Sequence, residues 1–323
     1  MPRLTIVIPA VDSIQSLEST LLSVLENRPN DCEVLVVLNQ PYDDPYALEG
    51  EVRFVRAESS AGRVACASLG AKESRAAVVH LLASGCEVSD GWAAAAVAHF
   101  EDPSVGAVAP VLFDKQDRQS VLAVGVGYGA GGTRRLAKAK LQDLEKRRGA
   151  RVLGPAYHAG FYRKSLVDHS DLGLSDEVGD GLADVDHAVA LRHAGYRTVV
   201  EPSCKIYADA EPQVSRTFRQ ARQAERLFWR NAPAVGWTRA MVCHPWVVAA
   251  ECLASLPSVA VLTQLVARAV ACFETASYHR RHQLLAQIAD SVPSAPVAGQ
   301  LRLDRAGTVD SPAHSAGKHR KAG

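Results

Sequence analysis

Two aspartates, Asp184 and Asp186, open the run ADVDHAVALRH, which has the spacing of a helix closed by Gly195. Carboxylates at a helix start cap its free N–H groups and favour the positive end of its dipole. Glu87 and Asp90 lie in HLLASGCEVSDGW, and Arg63 follows Gly62 in GRVAC. Arg216, Arg219, Arg222, Arg226 and Arg230 step by three or four residues and share one helix face. Such a stripe is either a solvated face or a surface for phosphates or anionic lipid. His80 sits inside an apolar run and reads as a core residue.

Other chemistries find no support. There is no serine nucleophile elbow, Walker loop or HExxH, which argues against hydrolase, NTPase and zincin readings. The glycine run GVGYGAGG, Gly125 to Gly132, lacks the strand before it and the helix after it that a dinucleotide site needs, so a hairpin or loop is expected, followed by a basic helix to Arg148. Seven cysteines without a CxxC pair fit a reducing cytoplasm rather than a zinc site or a disulfide framework. Thirty-six basic residues against 35 acidic ones make a dedicated nucleic-acid binder an unsuitable reading. The N-terminal apolar run stops at Ala10, short of a secretory signal. The best spanning candidate, 252–271, is interrupted by Pro257, Gln264 and Arg268.

The elements that must position these groups follow from hydrophobic spacing. Leu4 to Ile8, Cys32 to Leu38 and Ala77 to Leu82 are nearly continuous apolar runs, as in strands buried on both faces of a parallel sheet. Glu51 to Arg56 and Val105 to Ala109 add strands, and helical spacing fills 13–26, 62–74 and 90–100. Alternation of this kind specifies an open α/β sheet, whose ligands bind beyond the carboxyl ends of the strands. That rule selects Pro9 to Asp12, Asn39 to Asp44 and Ala83 to Asp90. From Pro212 the composition turns helical, and after Val292 it is rich in Pro, Ala, Ser and Gly, as in a disordered tail.

Four blocks, TIVIPAVDSIQSLESTLLSVL, CEVLVVLNQ, GRVACASLGA and VVHLLASGCEVSDGW, occur in the order and spacing of the N-terminal half of family 2 glycosyltransferases, which the chain resembles. AGFYRKSLV and GLADVDHAVALRHAGYRTVVEPSCKIY extend the resemblance to about residue 207, and the layout from SVLAVGVGYG onward is similar to the rhamnosyltransferase-like branch. The resemblance implies an inverting enzyme with a nucleotide-diphospho-sugar-binding GT-A fold. It implies that Asp184 is the base for the acceptor hydroxyl, with Asp186 in support, although the family's Glu-Asp pair is Ala-Asp here. Pro9, Asn39, Arg63, Glu87 and Arg226 are expected toward the donor, and His158 toward the acceptor. Gln223 to Arg226 resembles the family's Q-x-x-R element, with Leu227 where a Trp would stand.

Three family positions are altered. Ala83 and Gly85 replace the two aspartates of the DxD pair that holds a divalent cation, and a methyl or a hydrogen supplies no oxygen ligand. Leu38 replaces the acid that receives the nucleobase, leaving Asn39, Asp43 and Asp44 as substitutes. No metal ligand is therefore assigned, a manganese or magnesium ion is left open as cofactor, and arginine or lysine could stabilise the leaving diphosphate instead.

The expectation is thus an α/β, GT-A-like, mostly parallel sheet flanked by helices over 1–210, a helical region over 211–290 and a tail over 291–323. The expected activity moves a sugar from a nucleotide-sugar donor to a glycan or lipid-linked acceptor of the cell envelope, in the cytoplasm or peripherally at the inner face of the membrane. The alternative is a non-catalytic GT-A-like binding or scaffold protein. Trp246, Val247, Val248, Leu253, Val259, Val261, Leu262, Leu265 and Val266 are expected to pack on the core or rest on a membrane surface.

Overall fold

The computed structural model describes residues 2–139, 152–156, 159–169, 172–210, 217–256, 258 and 260–291, without the side chains of 288–291. His158, Arg216, Val259, the segment 140–151 and the tail from 292 lie outside the described residues.

The sheet is built from the apolar runs. Strand β1 (Leu4–Ala10) is buried along its whole length and pairs in parallel with β2 (Cys32–Leu38) and β4 (Val78–Leu82). Strand β3 (Val52–Arg56) extends the parallel set beyond β2. Across β4 the order continues through β10 (Ala159–Arg163), β6 (Val105–Asp114), β11 (Arg197–Ala208) and the short β5 (Glu87–Val88). β10 runs antiparallel to both β4 and β6, while β6 and β11 are parallel. β7 (Val121–Ala123) pairs with β6 at the side of this path.

The first helices are fixed by local rules. α1 (Ile14–Asn27) begins where the Ser13 hydroxyl accepts the Ser16 N–H at 3.1 Å, an N-cap, and buries Leu17, Leu21 and Val24 on one face. α2 (Arg63–Glu73) lies so close to β1 that a Cβ at Gly70 would come within 2.3 Å of Val7, so only glycine permits this approach. α3 (Trp92–Ala98) follows β5, and the short α4 (Lys164–Val167) follows β10. α5 (Ala183–His193) carries the two aspartates.

The glycine run forms the first arm of a hairpin, β8 (Gly125–Tyr128) against β9 (Arg134–Ala137). The basic helix expected directly after it does not start there. Arg134–Ala137 is extended because its backbone is satisfied by the partner strand, which overrides helix propensity.

Beyond β11, α6 (Phe218–Val235) starts with a capping box of Thr217 and Gln220. α7 (Trp237–Ala254), α8 (Ala260–Cys272) and α9 (Thr275–Ser291) complete the helical region, with α6 along α8 and both α6 and α9 against α5. The half-buried and buried members of the arginine stripe are not a solvated face. Arg222 and Arg226 both bond Glu274, and Arg230 bonds Asp186 and Glu177. Of the apolar residues expected to pack on the core or rest on a membrane, Val247, Val248 and Val261 are half-buried, Val247 against Gly131, whereas Trp246, Leu253, Leu262, Leu265 and Val266 are exposed. A helix apolar all round leaves one apolar side outward wherever it docks. Among the described residues no helix is long and apolar enough to cross a membrane.

Candidate functional site

The carboxyl ends of β1, β2 and β4 converge on one edge, and side chains there tie the loops together. The Ser84 hydroxyl donates to the Pro9 carbonyl at 2.9 Å, Gln40 Nε2 to the Asp12 carbonyl at 2.7 Å, and Asn39 Nδ2 to the Ala61 carbonyl at 2.9 Å. Arg63 Nη2 meets both Asp12 carboxylate oxygens at 3.0 Å. Pro9, Asn39 and Arg63, all singled out on the sequence, therefore share one edge.

Asp180 joins that edge from far along the chain. Its carboxylate accepts the N–H groups of Arg63 (3.1 Å) and Val64 (2.9 Å), the free donors at the start of α2, whose N-cap Gly62 supplies no side chain. The loop before α5 is thereby fastened to that edge, and an internal carboxylate occupies a helix N-terminus of the kind that holds phosphates.

Glu87 sits on β5, bonded by Lys115 at 3.2 Å and Arg118 at 2.9 Å. The Cys86 thiol beside it is pushed up to about 12 by burial, against the pull of Lys115 and Arg63.

The turn that stands where a DxD pair would be is closed. Ala83 is buried, and Gly85 has φ +88°, a conformation that strains any side-chain-bearing residue. The Gly85 N–H is held by the Ser16 carbonyl (3.1 Å) and Thr20 Oγ1 (2.8 Å), so the turn is pinned to α1. Among the described residues no group of three or more His, Cys, Asp or Glu has the arrangement of a cation site. The residues present do not fit a divalent cation at this turn.

An unsatisfied pair lies in the loop after β2. Both Asp44 carboxylate oxygens and the Tyr42 hydroxyl are buried atoms with no hydrogen-bond partner, and Asp44 has φ +45°. Buried polar atoms are nearly always bonded, so these three are available to the polar groups of a ligand or of water. The Tyr42 hydroxyl is raised above its ordinary value by burial first, then by Glu18 and Asp44.

The α5 aspartates are held differently from a free base. Asp184 is 1% exposed and accepts from Arg134 Nε (3.0 Å to each oxygen), Arg134 Nη2 (2.8 Å) and the Val185 N–H (2.7 Å). Asp186 is fully buried and accepts from Arg230 Nε (3.1 Å), Arg230 Nη2 (3.0 Å) and Asn231 Nδ2 (2.9 Å), with Arg281 at 3.6 Å. Burial alone would raise the Asp186 carboxyl, but Arg230 and Arg281 outweigh it and hold it at about 2. Asp186 bolts α5 to α6 and α9 rather than capping its own helix. Arg226 bonds Glu274 and the Glu177 carbonyl, which belong to the helical region and the loop before α5, not to the edge that holds Arg63.

Lys115, Arg134 and Asp180 were not singled out on the sequence. For Arg134 a faint signal was its place directly after the glycine run, and for Asp180 the glycines on either side of it.

No family model and no curated protein matches the chain by sequence. Solved structures do. GalNAc-T7 with UDP, GalNAc and Mn2+ aligns with a TM-score of 0.56 and 15% identity over 70% of this chain and 47% of that one. The chain thus spans about half the length of GalNAc-T7. The mannosyltransferase PcManGT from Pyrobaculum calidifontis, in complex with GDP-Man and Mn2+, aligns with a TM-score of 0.52 and 18% identity over 90% of this chain and 86% of that one. The fold is GT-A. Within it, the edge that carries Pro9, Asn39 and Arg63 lies at the carboxyl ends of parallel strands, where ligands of open α/β sheets bind.

Proposed function

We propose that the chain is a glycosyltransferase that binds a nucleotide-sugar donor at the edge formed by Pro9, Asn39 and Arg63, and transfers the sugar to a glycan or lipid-linked acceptor, with inversion. The orphaned pair Asp44 and Tyr42 in the loop after β2 carries this reading, because a nucleobase and ribose offer the donors and acceptors these atoms lack. Arg63 and Lys115, rather than a metal ion, would stabilise the leaving diphosphate, since the turn at Ala83 and Gly85 does not fit a cation. Asp184 would take the acceptor proton after Arg134 moves aside. The family 2 assignment rests on the six sequence blocks, the action on cell-envelope polysaccharide on the same resemblance. The cytoplasmic placement rests on seven cysteines that are all free thiols, and the placement at the inner face of a membrane on the exposed apolar residues of α7 and α8.

The Arg134–Asp184 pair favours a second reading, a GT-A binding or scaffold protein without chemistry, because a carboxylate engaged by a bidentate guanidinium is not offered to an acceptor. Thermal-shift titration with UDP-, GDP- and dTDP-sugars, with and without manganese, separates the readings from each other and from neither. A ligand of the folded form raises the melting temperature. Stabilisation that survives chelation and is lost in Asp44→Ala, together with turnover on an acceptor, supports the transferase. Stabilisation without turnover supports the binding protein, and no stabilisation by any donor overturns both.

A further inference from the structure

Helices α7 and α8 are turned inside out. α8 buries Gln264 and Arg268 and exposes Leu262, Leu265, Val266 and Val270. α7 buries only Ala240 and directs His244 and Glu251 toward the interior, where His244 meets Glu225 at 3.0 Å and Glu251 pairs with Arg268. Its outer side shows Val242, Trp246 and Leu253, and Phe273 follows α8. Trp246 is 75% exposed and Phe273 85% exposed. A helix facing water has the opposite arrangement, and large apolar side chains gathered on the exposed side of each helix mark an interaction site.

Charge says what the partner is. Residues 217–287 contain eight arginines, three glutamates, no lysine and no aspartate. All three glutamates are used by internal pairs: Glu225 with His244 and Arg268, Glu251 with Arg268, Glu274 with Arg222 and Arg226. Arg219, Arg239 and Arg280 are exposed and form no ion pair among the described residues. A second copy would bring the same excess of positive charge to the same apolar face, whereas anionic headgroups neutralise it. Residues 292–323 hold no aromatic residue and two leucines, too little to cover the face.

We infer that the outer face of α7 and α8 docks on an anionic lipid bilayer, with Trp246, Leu253, Leu262 and Phe273 entering the boundary between headgroups and acyl chains and Arg239, which shares the outer face of α7 with Val242 and Trp246, meeting the headgroups. Neither helix spans the bilayer, so both lie in its plane. The inference deepens the placement at a membrane proposed above but does not depend on sugar transfer, so vesicle binding and donor binding succeed or fail separately.

The test is flotation of the full chain with phosphatidylcholine vesicles, with and without phosphatidylglycerol, at low salt. The chain floats with the anionic vesicles and at least tenfold less with the neutral ones. Trp246→Glu combined with Phe273→Glu lowers anionic flotation roughly tenfold or more while circular dichroism and the melting temperature stay unchanged, because both positions are exposed. Arg239→Glu lowers flotation without disturbing the fold. Absence of flotation at low salt, equal flotation with both vesicles, or flotation indifferent to the double substitution overturns the inference. So does light scattering that shows a dimer dissociated by the same double substitution, since a second copy would then own the face.

Discussion

Arg134, at the start of β9, grips Asp184, in the first turn of α5, through two guanidinium nitrogens, with Nη2 2.8 Å from Oδ2. The hairpin whose first arm is the glycine run is therefore latched to the helix that carries the candidate base. Both side chains are largely out of water, Asp184 completely. An ion pair in that setting binds each partner to the other, since either charge alone would be left without solvent.

Arg134→Met is expected to cost about 3 kcal/mol of stability by leaving the Asp184 charge buried without its partner. Adding Asp184→Leu should return most of that loss, which chemical denaturation of the single and double variants measures. A cost below about 1 kcal/mol for Arg134→Met would show that the latch does not hold the hairpin.

Asp184→Asn should lower transfer roughly a hundredfold or more if the carboxylate is the base. Asp186→Asn should lower turnover less, because its carboxylate serves Arg230, Arg281 and Asn231. Asp186 should instead matter to stability. Its carboxyl is held at about 2 from 3.8, so its contribution is fully present above pH 3.8 and is lost as pH falls through 2. That contribution is about 2 kcal/mol, and acid titration of wild type against Asp186→Asn reads it.

Two buried histidines set a separate acid limit. His80 is lowered by burial to about 3, with its ring stacked on Phe161 at 3.8 Å, and His187 is lowered by burial to about 4. Both are neutral in the fold and become protonated on unfolding below pH 6.5. Their contribution is whole above pH 6.5, declines as pH falls, and is lost by about 3 for His80 and about 4 for His187. Each histidine adds about 1.4 kcal/mol per pH unit to the slope in its window. His80→Phe should therefore lower the slope of the unfolding free energy against pH between pH 4 and 6 by about 1.4 kcal/mol per pH unit.

Calorimetry with manganese or magnesium should show no tight site at residues 83–87. A strong site abolished by Glu87→Gln or Asp90→Asn would mean that an offset ligand set replaces the missing carboxylates.

Much of the scaffold was legible before any coordinate. Apolar runs such as LTIVI and CEVLVVL announced strands buried on both faces, Ser13 announced a helix start, and alternation of the two announced a sheet with a ligand edge at Pro9 and Asn39. Residue types also decided that Ala83 and Gly85 cannot chelate, since ligand chemistry belongs to the side chain itself. These properties are local: period, propensity and functional group are carried by neighbouring residues.

The partners of charged groups were decided only by the tertiary structure. Asp184 meets Arg134 from 50 positions away, Asp180 caps α2 from 116, and Asp186 meets Arg230 from 44. Helical spacing put Arg222, Arg226 and Arg230 on one face, yet the sequence could not say that Glu274, Glu177 and Asp186 would wait opposite that face. The same holds for α8, whose leucines face outward because Arg268 found Glu225 within the helical region. A buried charge is stable only beside its counterion, and which counterion is near is fixed by how distant segments pack rather than by the residues on either side.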